Sequence, residues 1–205
     1  MKMSVNELLE YFPARVVGSP SSGRYFPRSS APVYIFNRNQ WLVTPMQFSM
    51  IPSWSDTEKP KFATYNARIE SLFDKPTWKD AITKSRCLVP MTGFLEWVEN
   101  EETGKKELVE FTSETGDPLF ACGVWSRWQN EEKSIDSFAI VTKEPVPEIE
   151  AAGHDRMPLF LKKQSYEEWS RWSLLDQENL FNLAKEELEV KFKVKRFDPE
   201  SSAEE

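Results

Sequence analysis

Short apolar runs, broken by proline, glycine and charged residues, constrain the fold of this chain more than any other feature of its sequence. Runs rich in β-branched and aromatic side chains, bounded by turn-forming residues, predict strands. The strand candidates are Val33–Phe36, Trp41–Val43, Phe48–Ile51, Cys87–Val89, Phe94–Val98, Leu108–Phe111, Leu119–Trp125, Phe138–Val141, Met157–Leu161 and the alternating Val190, Phe192 and Val194.

Helical spacing marks fewer segments. Ser4 and Glu7 form a capping-box pattern ahead of a short helix that Pro13 ends. Further helices are expected at Trp78–Lys84, Tyr166–Trp172 and Gln177–Glu187. Many short strands with helices dispersed between them predict an α+β fold: a single compact domain over residues 1–196, with a mixed or antiparallel β-rich core and peripheral helices. Residues 197–205 are expected to be an acidic, disordered tail.

One histidine and two cysteines limit the chemistry of the 205-residue chain. A Cys/His zinc site, a CxxC redox pair or a multi-histidine centre needs more ligands, so we expect no metal and no cofactor. No apolar run reaches the roughly 18 residues of a membrane-spanning helix, so we expect no membrane association. Without a signal peptide or paired cysteines, the expected location is the cytoplasm, on the nucleoid if the source is bacterial.

The net charge of −7 conceals an asymmetry between the two halves of the chain. Residues 1–90 hold 12 Lys/Arg against 7 Asp/Glu, whereas residues 91–205 hold 14 against 26. A local basic face can bind a polyanion in spite of an acidic total. Scattered surface arginines explain the same counts, so charge alone does not decide the partner.

Two segments contain groups suited to proton transfer. His154 titrates near neutral pH, and Arg156, two residues on, can hold an anion. Period-two alternation puts Glu96 on the same face of a strand candidate as Phe94 and Val98. A carboxyl group among large apolar side chains suits a general acid or base. The alternatives are a structural histidine and an edge-strand glutamate that faces water.

Other candidates are weaker in isolation. Asn66 and Arg68 place an amide and a guanidinium on one short segment, and Phe48 lies beside a proline-fixed bend where rings can stack on bases. A capping asparagine, a surface arginine and a core ring are the alternatives. Cys87 and Cys122 lie inside apolar runs and are expected to be buried rather than nucleophilic.

Four segments in this order closely resemble the SRAP family of SOS-response-associated peptidases, or abasic-site-processing proteins: FSMIPSW, NARIES, CLVPMTGFLEW and HDRMP. The resemblance runs from about Leu8 to about Trp172. It implies a SRAP-like fold and a role in the DNA damage response, with single-stranded DNA that carries abasic sites as the partner. In that family an N-terminal cysteine, exposed by removal of the initiator methionine, condenses with the ring-opened sugar to form a thiazolidine cross-link.

The resemblance also implies roles for individual residues. Asn66 matches the asparagine that positions the nucleophile and the sugar, Glu96 the acid/base glutamate, and His154 the histidine that assists ring opening and cross-link reversal. Arg68 and Arg156 match arginines that hold DNA phosphates.

Two further positions complete the expected DNA site. Phe48 and Ser49 stand where the family has Trp-Gly, so Phe48 is expected to stack on DNA. Thr142 matches a threonine that lines the pocket. A monomer is expected.

The sequence departs from the family at its start. Family members begin Met-Cys-Gly-Arg, whereas Met1-Lys2-Met3 leads directly into the capping serine. No nucleophile is identified, and we expect recognition of abasic DNA without the covalent cross-link. The alternatives are a start that lies upstream, a Schiff-base lyase that uses the amine of Met1 or Lys2, and a non-catalytic protein-interaction module on the same fold.

Overall fold

The computed structural model describes residues 3–100, 103–171 and 176–197. The helices are α1 Val5–Tyr11, α2 Pro76–Lys84, α3 Pro147–Ala151, α4 Tyr166–Ser170 and α5 Gln177–Ala184. The strands are β1 Arg15–Val16, β2 Ser30–Asn37, β3 Gln40–Phe48, β4 Asn66–Arg68, β5 Arg86–Met91, β6 Gly93–Glu99, β7 Lys106–Ser113, β8 Leu119–Gln129, β9 Ser134–Lys143, β10 Met157–Pro158 and β11 Phe192–Phe197. The predicted α+β class is confirmed.

The larger sheet has the strand order β1-β3-β2-β5-β8-β9-β10, with β4 also paired to β9. A parallel pairing of Phe48 on β3 with Phe138 on β9 joins its two sides, so the sheet closes into a barrel. The β2–β3 hairpin turns through Arg38 and Asn39, whose φ angles of 48° and 60° are both positive. Two positive φ angles match the twist of the flanking strands, which fixes the register of this hairpin.

The smaller sheet is antiparallel, in the order β11-β7-β6. Its register places Glu96 of β6 and Arg196 of β11 on either side of Val109 of β7. Residues directly opposite each other in antiparallel strands project to the same face. Glu96 and Arg196 therefore lie in one cross-strand row, although a hundred positions separate them in the sequence.

The barrel strands bury alternate residues on two faces. The helix face packs residues such as Leu88, Phe120 and Val141 against the helices. The small-sheet face packs residues such as Val89, Ala121 and Phe138 against the smaller sheet and α3, including Val98, Val109, Phe111, Ile149 and Phe192. One set of strands thus divides two cores.

Several predicted elements have shifted bounds. The strand expected over Phe48–Ile51 ends at Phe48, because Ser49 adopts a φ of 97°. The helix expected from Tyr166 ends at Ser170, and Trp172 lies outside the described residues. The helix expected from Gln177 ends at Ala184.

The two chain ends are described only in part. The Ser4–Glu7 capping box is confirmed, with the Ser4 side chain accepting from the Glu7 backbone N–H. Strand β11 includes Phe197, the first residue of the expected tail. Met1, Lys2 and positions 198–205 lie outside the described residues.

Candidate functional site

His154 and Glu96 form the centre of the candidate site. Nε2 of His154 lies 3.3 Å from Oε2 of Glu96, and the two side chains are 17% and 30% exposed. On the other side of the ring, Nδ1 donates to the Arg156 carbonyl oxygen at 2.7 Å. Both ring nitrogens therefore have acceptors, an arrangement that favours the doubly protonated imidazolium.

The pKa of His154 is raised above its ordinary value. The largest cause is the hydrogen bond to Glu96, and the Arg156 carbonyl acts in the same direction, while burial opposes both. A cationic imidazole beside a carboxylate offers a proton donor and a proton acceptor within one small space, as acid–base chemistry near neutral pH requires.

The backbone before His154 needs a glycine. Gly153 has a φ of 95°, and a Cβ added there would lie 2.6 Å from Cγ1 of Val98. Val98 follows Glu96 by two positions and projects to the same face of β6. Close contact of Gly153 with Val98 therefore sets His154 opposite Glu96.

Arg156 is held by protein groups from two parts of the chain, the short 3-10 helix Ile69–Ser71 that follows β4 and strand β9. Its guanidinium forms a two-point ion pair with Glu70, at 3.0 and 2.9 Å, and donates to the Thr142 carbonyl oxygen at 2.7 Å. The side chain is only 14% exposed. Arg156 thus ties the histidine loop to the segment after β4, and Thr142 takes part through its backbone.

Asn66 and Arg68 lie on β4, a strand that the sequence did not predict. They pair in parallel with Ile140 and Thr142 of β9. Ala67 between them is buried on the helix face, so alternation places Asn66 and Arg68 on the small-sheet side. Arg68 is exposed, and among the described residues its guanidinium has no ion pair.

Phe48 also lies beside β9, nearer the start of that strand than Asn66 and Arg68. Its ring stacks on Phe138 with 5.2 Å between centroids, and Tyr65 meets it edge-on at 6.2 Å. Phe48 pairs with Phe138 and Arg68 with Thr142, four residues further along β9. Phe48, Asn66 and Arg68 therefore follow one another along strand β9. The ring of Phe48 packs against Phe138 and Tyr65.

A cleft of about 240 Å³ opens next to this row. Its walls include Arg28, Lys61, Phe62 and Tyr65, and the chain continues directly from Tyr65 into Asn66. Phe62 is 52% and Tyr65 38% exposed. Arg28 has a φ of 76°, and its backbone N–H donates to the Phe48 carbonyl.

No local pattern in the sequence marks Lys61, Phe62 or Tyr65 as a site residue. Their segment has neither strand nor helix periodicity. The signal that could have found them is local composition, since two exposed aromatic residues and a lysine immediately precede the NARIES segment. Arg28 was counted only as one of the arginines of the basic half.

The two cysteines are buried, as expected. Cys87 and Cys122 are both 0% exposed, and burial raises the pKa of each thiol far above its ordinary value. Within the described ranges, no group of three or more His, Cys, Asp and Glu side chains could hold a metal ion. Over the same ranges, no helix is long and apolar enough to cross a membrane.

Comparison with known proteins identifies the family of the chain. The model of the SRAP family, described as SOS response associated peptidase, matches residues 7–198. That match covers the barrel, the smaller sheet and every candidate residue of the site. The chain belongs to the SRAP family.

Two relatives carry informative names. The abasic site processing protein YoqW of Bacillus subtilis is 30% identical over 127 residues, which are 60% of this chain and 55% of YoqW. The abasic site processing protein HMCES of Rattus norvegicus is 25% identical over 168 residues, which are 76% of this chain and 38% of HMCES. The chain thus spans about half the length, or less, of these curated relatives.

A solved structure shares the fold over nearly the whole chain. A crystal structure of a protein from Bordetella bronchiseptica superposes with a TM-score of 0.76 at 22% identity, covering 97% of each chain. The barrel with its smaller sheet is therefore the architecture of this neighbour as well.

Proposed function

We propose that this chain recognises abasic sites in single-stranded DNA, with the His154–Glu96 pair at the lesion. Membership of the SRAP family and the names of its relatives support the abasic site as the target. The single observation that carries the proposal is the imidazole–carboxylate contact of 3.3 Å. A cleft whose walls include cationic and aromatic side chains supports it, since the chain runs directly from the wall residue Tyr65 into Asn66.

The chemistry of an abasic sugar suits this pair. The sugar exists as a cyclic hemiacetal, and opening it to the aldehyde moves one proton from the C1′ hydroxyl and delivers one to the ring oxygen. Glu96 accepts the first proton and the His154 imidazolium donates the second, so the isomerisation balances without a metal. Asn66, on β4 of the larger sheet, supplies an amide to hold the sugar.

The cleft provides a path for the strand on either side of the lesion. Arg28, Lys61 and Arg68 are exposed cations suited to phosphates, and the rings of Phe62 and Tyr65 offer stacking surfaces for bases. Stacking requires unpaired bases, which favours single-stranded over duplex DNA.

Binding is tested with a fluorescent oligonucleotide that carries a tetrahydrofuran abasic analogue, which cannot form an aldehyde. Fluorescence anisotropy at several salt concentrations compares it with the intact single strand and with duplex. We expect the order abasic single strand, intact single strand, duplex, with log K falling linearly against log salt. Equal affinity for all three DNAs, or no binding, contradicts the proposal and favours a protein-interaction module.

Two arginines are expected to differ in this assay. Arg68→Ala removes an exposed cation and should lower the salt slope by about 0.7, the contribution of one phosphate contact on a single strand. Arg156→Ala removes a side chain already neutralised by Glu70, so affinity should fall while the slope is retained. Arg171→Ala, at the end of α4 on the helix face, is the matched control and should bind like wild type.

The chemical step is tested separately on a natural abasic strand. Mass spectrometry after incubation distinguishes a covalent adduct, strand cleavage and unmodified DNA. If either reaction occurs, Glu96→Gln should slow it while leaving anisotropy with the tetrahydrofuran strand largely intact. Loss of binding in Glu96→Gln would instead assign Glu96 to recognition.

A further inference from the structure

Arg196 on β11 contacts the histidine loop from outside all four motifs. Its Nη2 donates to the Ala152 carbonyl oxygen at 3.0 Å, and its Nη1 lies 3.2 Å from Oε2 of Glu107. Ala152 is the C-cap residue directly after α3, two residues before His154. A guanidinium at this position satisfies a carbonyl at the C-terminal end of a helix, where a cation is favoured.

The smaller sheet holds the loop at three consecutive residues. Arg196 binds the Ala152 carbonyl, Val98 packs against Gly153, and Glu96 accepts from His154. Arg196 and Glu96 lie in the same cross-strand row, on opposite sides of Val109. The two outer strands of this sheet therefore hold the two ends of one short loop segment.

Arg196 is itself held in place. The other oxygen of the Glu107 carboxylate accepts from Nδ2 of Asn100 at 2.6 Å. Glu107 pairs with Val98, two positions along β7 from the partner of Arg196, and therefore projects to the same face. Because Glu107 is held by Asn100 through one oxygen and binds Nη1 of Arg196 through the other, it orients the planar guanidinium. Nη2 then faces the Ala152 carbonyl oxygen.

We propose that Arg196 is a positioning residue, which sets the contact between His154 and Glu96 by fixing the loop through the Ala152 carbonyl. The proposal rests on the proposed function only in taking that pair as the reactive one. Within the described part of the chain, no hydrogen bond or ion pair joins Arg196 to the imidazole or to the Glu96 carboxylate. Its influence is on the geometry of the pair.

The single histidine makes this directly measurable. In NMR titrations of the free full-length protein, the imidazole signals belong to His154 alone, and their midpoint gives its pKa. The charged groups around the ring are Glu96 on β6, Asp155 and Arg156 in its own loop, Glu70 bound to Arg156, and Arg196 with Glu107 from the outer strands.

Arg196 could act on His154 as a nearby positive charge or by positioning the loop, and removing it would shift the pKa of His154 in opposite directions in the two cases. Loss of a nearby positive charge by itself raises the pKa of a histidine. Loss of positioning weakens the Glu96 hydrogen bond and lowers it. For Arg196→Met we therefore expect the His154 midpoint to fall by about half a pH unit or more, with the dispersed spectrum of a folded chain.

The control is Arg127→Met, which removes another two-point arginine, bound to Asp136 at 2.7 Å on β9 far from the loop. It should leave the midpoint unchanged. Arg196→Lys keeps the charge but loses the fork, so we expect an intermediate fall. This variant decides the matter if Arg196→Met does not fold.

An unchanged or raised midpoint in a folded Arg196 variant overturns the proposal. No DNA is present in this titration, so its outcome is independent of whether the chain binds abasic strands. Failure of the anisotropy experiment with a lowered midpoint would remove the proposed function and leave the positioning role of Arg196 standing.

Discussion

The helix face and the small-sheet face of the barrel are made by alternate residues of the same strands, yet they are built differently. On the helix face, Phe12 packs against Tyr34, Trp41 and Phe120 with centroids 4.9 to 5.3 Å apart. The buried Arg86 on this side donates to the carbonyls of Ile82, Trp169 and Arg171. Apolar contact and satisfied hydrogen bonds dominate it.

The small-sheet face carries the positive φ of Ser49 and Gly153, the His154–Glu96 pair and the Glu70–Arg156 ion pair. Strained backbone and partly buried charges persist only where the surrounding structure holds them. We therefore expect the helix face to supply much of the stability that allows the small-sheet face to carry reactive groups.

The largest expected effect is on the helix face. Trp169 is 0% exposed, and its indole N–H donates to the Cys87 carbonyl. Trp169→Ala should lower the free energy of unfolding by about 3–5 kcal/mol in urea denaturation, with DNA affinity unchanged while the protein is folded. Trp97→Ala, at a residue that is 56% exposed, should cost at most about 1 kcal/mol. Similar losses from both would show that burial of the indole is not what stabilises the helix face.

A smaller effect is expected at the loop. Gly153→Ala combines an unfavourable φ with contact against Val98 and should cost about 2 kcal/mol. It should also move the His154 NMR signals. Gly104→Ala is the control: its φ is 64°, but the space around it is open, so only the backbone cost of about 1 kcal/mol applies. Equal costs would show that the Val98 contact is unimportant.

Ser49→Gly should stabilise the protein, in contrast to the substitutions of Trp169 and Gly153. Relief of the φ of 97° should raise the free energy of unfolding by about 1 kcal/mol. Ser30→Gly, in the regular strand β2, should instead lower it by about 0.5–1 kcal/mol. A destabilised Ser49→Gly would mean that the side chain of Ser49 contributes more than its backbone costs.

The smallest effect is on pH dependence. The pKa of His154 is raised in the folded chain, so its contribution to stability is fully present below the unfolded value of about 6.5. That contribution is lost as pH rises through the folded pKa. Urea titrations from about pH 6 to about pH 8.5 should show wild type losing stability relative to Glu96→Gln. Parallel curves would remove the hydrogen bond as the cause.

Local patterns explain what could be predicted. The capping box at Ser4 and Glu7 and the two hairpins depend on neighbouring residues, and alternation correctly put Glu96 and Val98 on one face. Cys87 and Cys122 were correctly expected to be buried, because each lies inside an apolar run. The proximity of Glu96 and His154 followed from the resemblance to the family and not from spacing.

Contacts distant in sequence explain what could not be predicted. Arg156 meets Glu70 across 86 positions, and no local pattern shows that its charge is already taken up. β4 has only three residues, too few for a periodic signal. Arg196 follows an alternation of Val190, Phe192 and Val194 with lysines, which predicted a half-exposed strand. That local pattern does not show that the register places Arg196 in one cross-strand row with Glu96.

Leu159, the residue after the short strand β10, is hydrogen-bonded to two neighbouring strands of the barrel, β8 and β9. Val141 accepts from the Leu159 N–H, while Leu159 in turn accepts from the Cys122 N–H, so this segment is bonded to both β9 and β8. The histidine loop immediately precedes it. We expect release of the loop to release this segment as well, so that the amide protons of Cys122 and Leu159 exchange with solvent deuterium. The exchange rates of those two barrel amides would therefore report how often the histidine loop leaves its folded position.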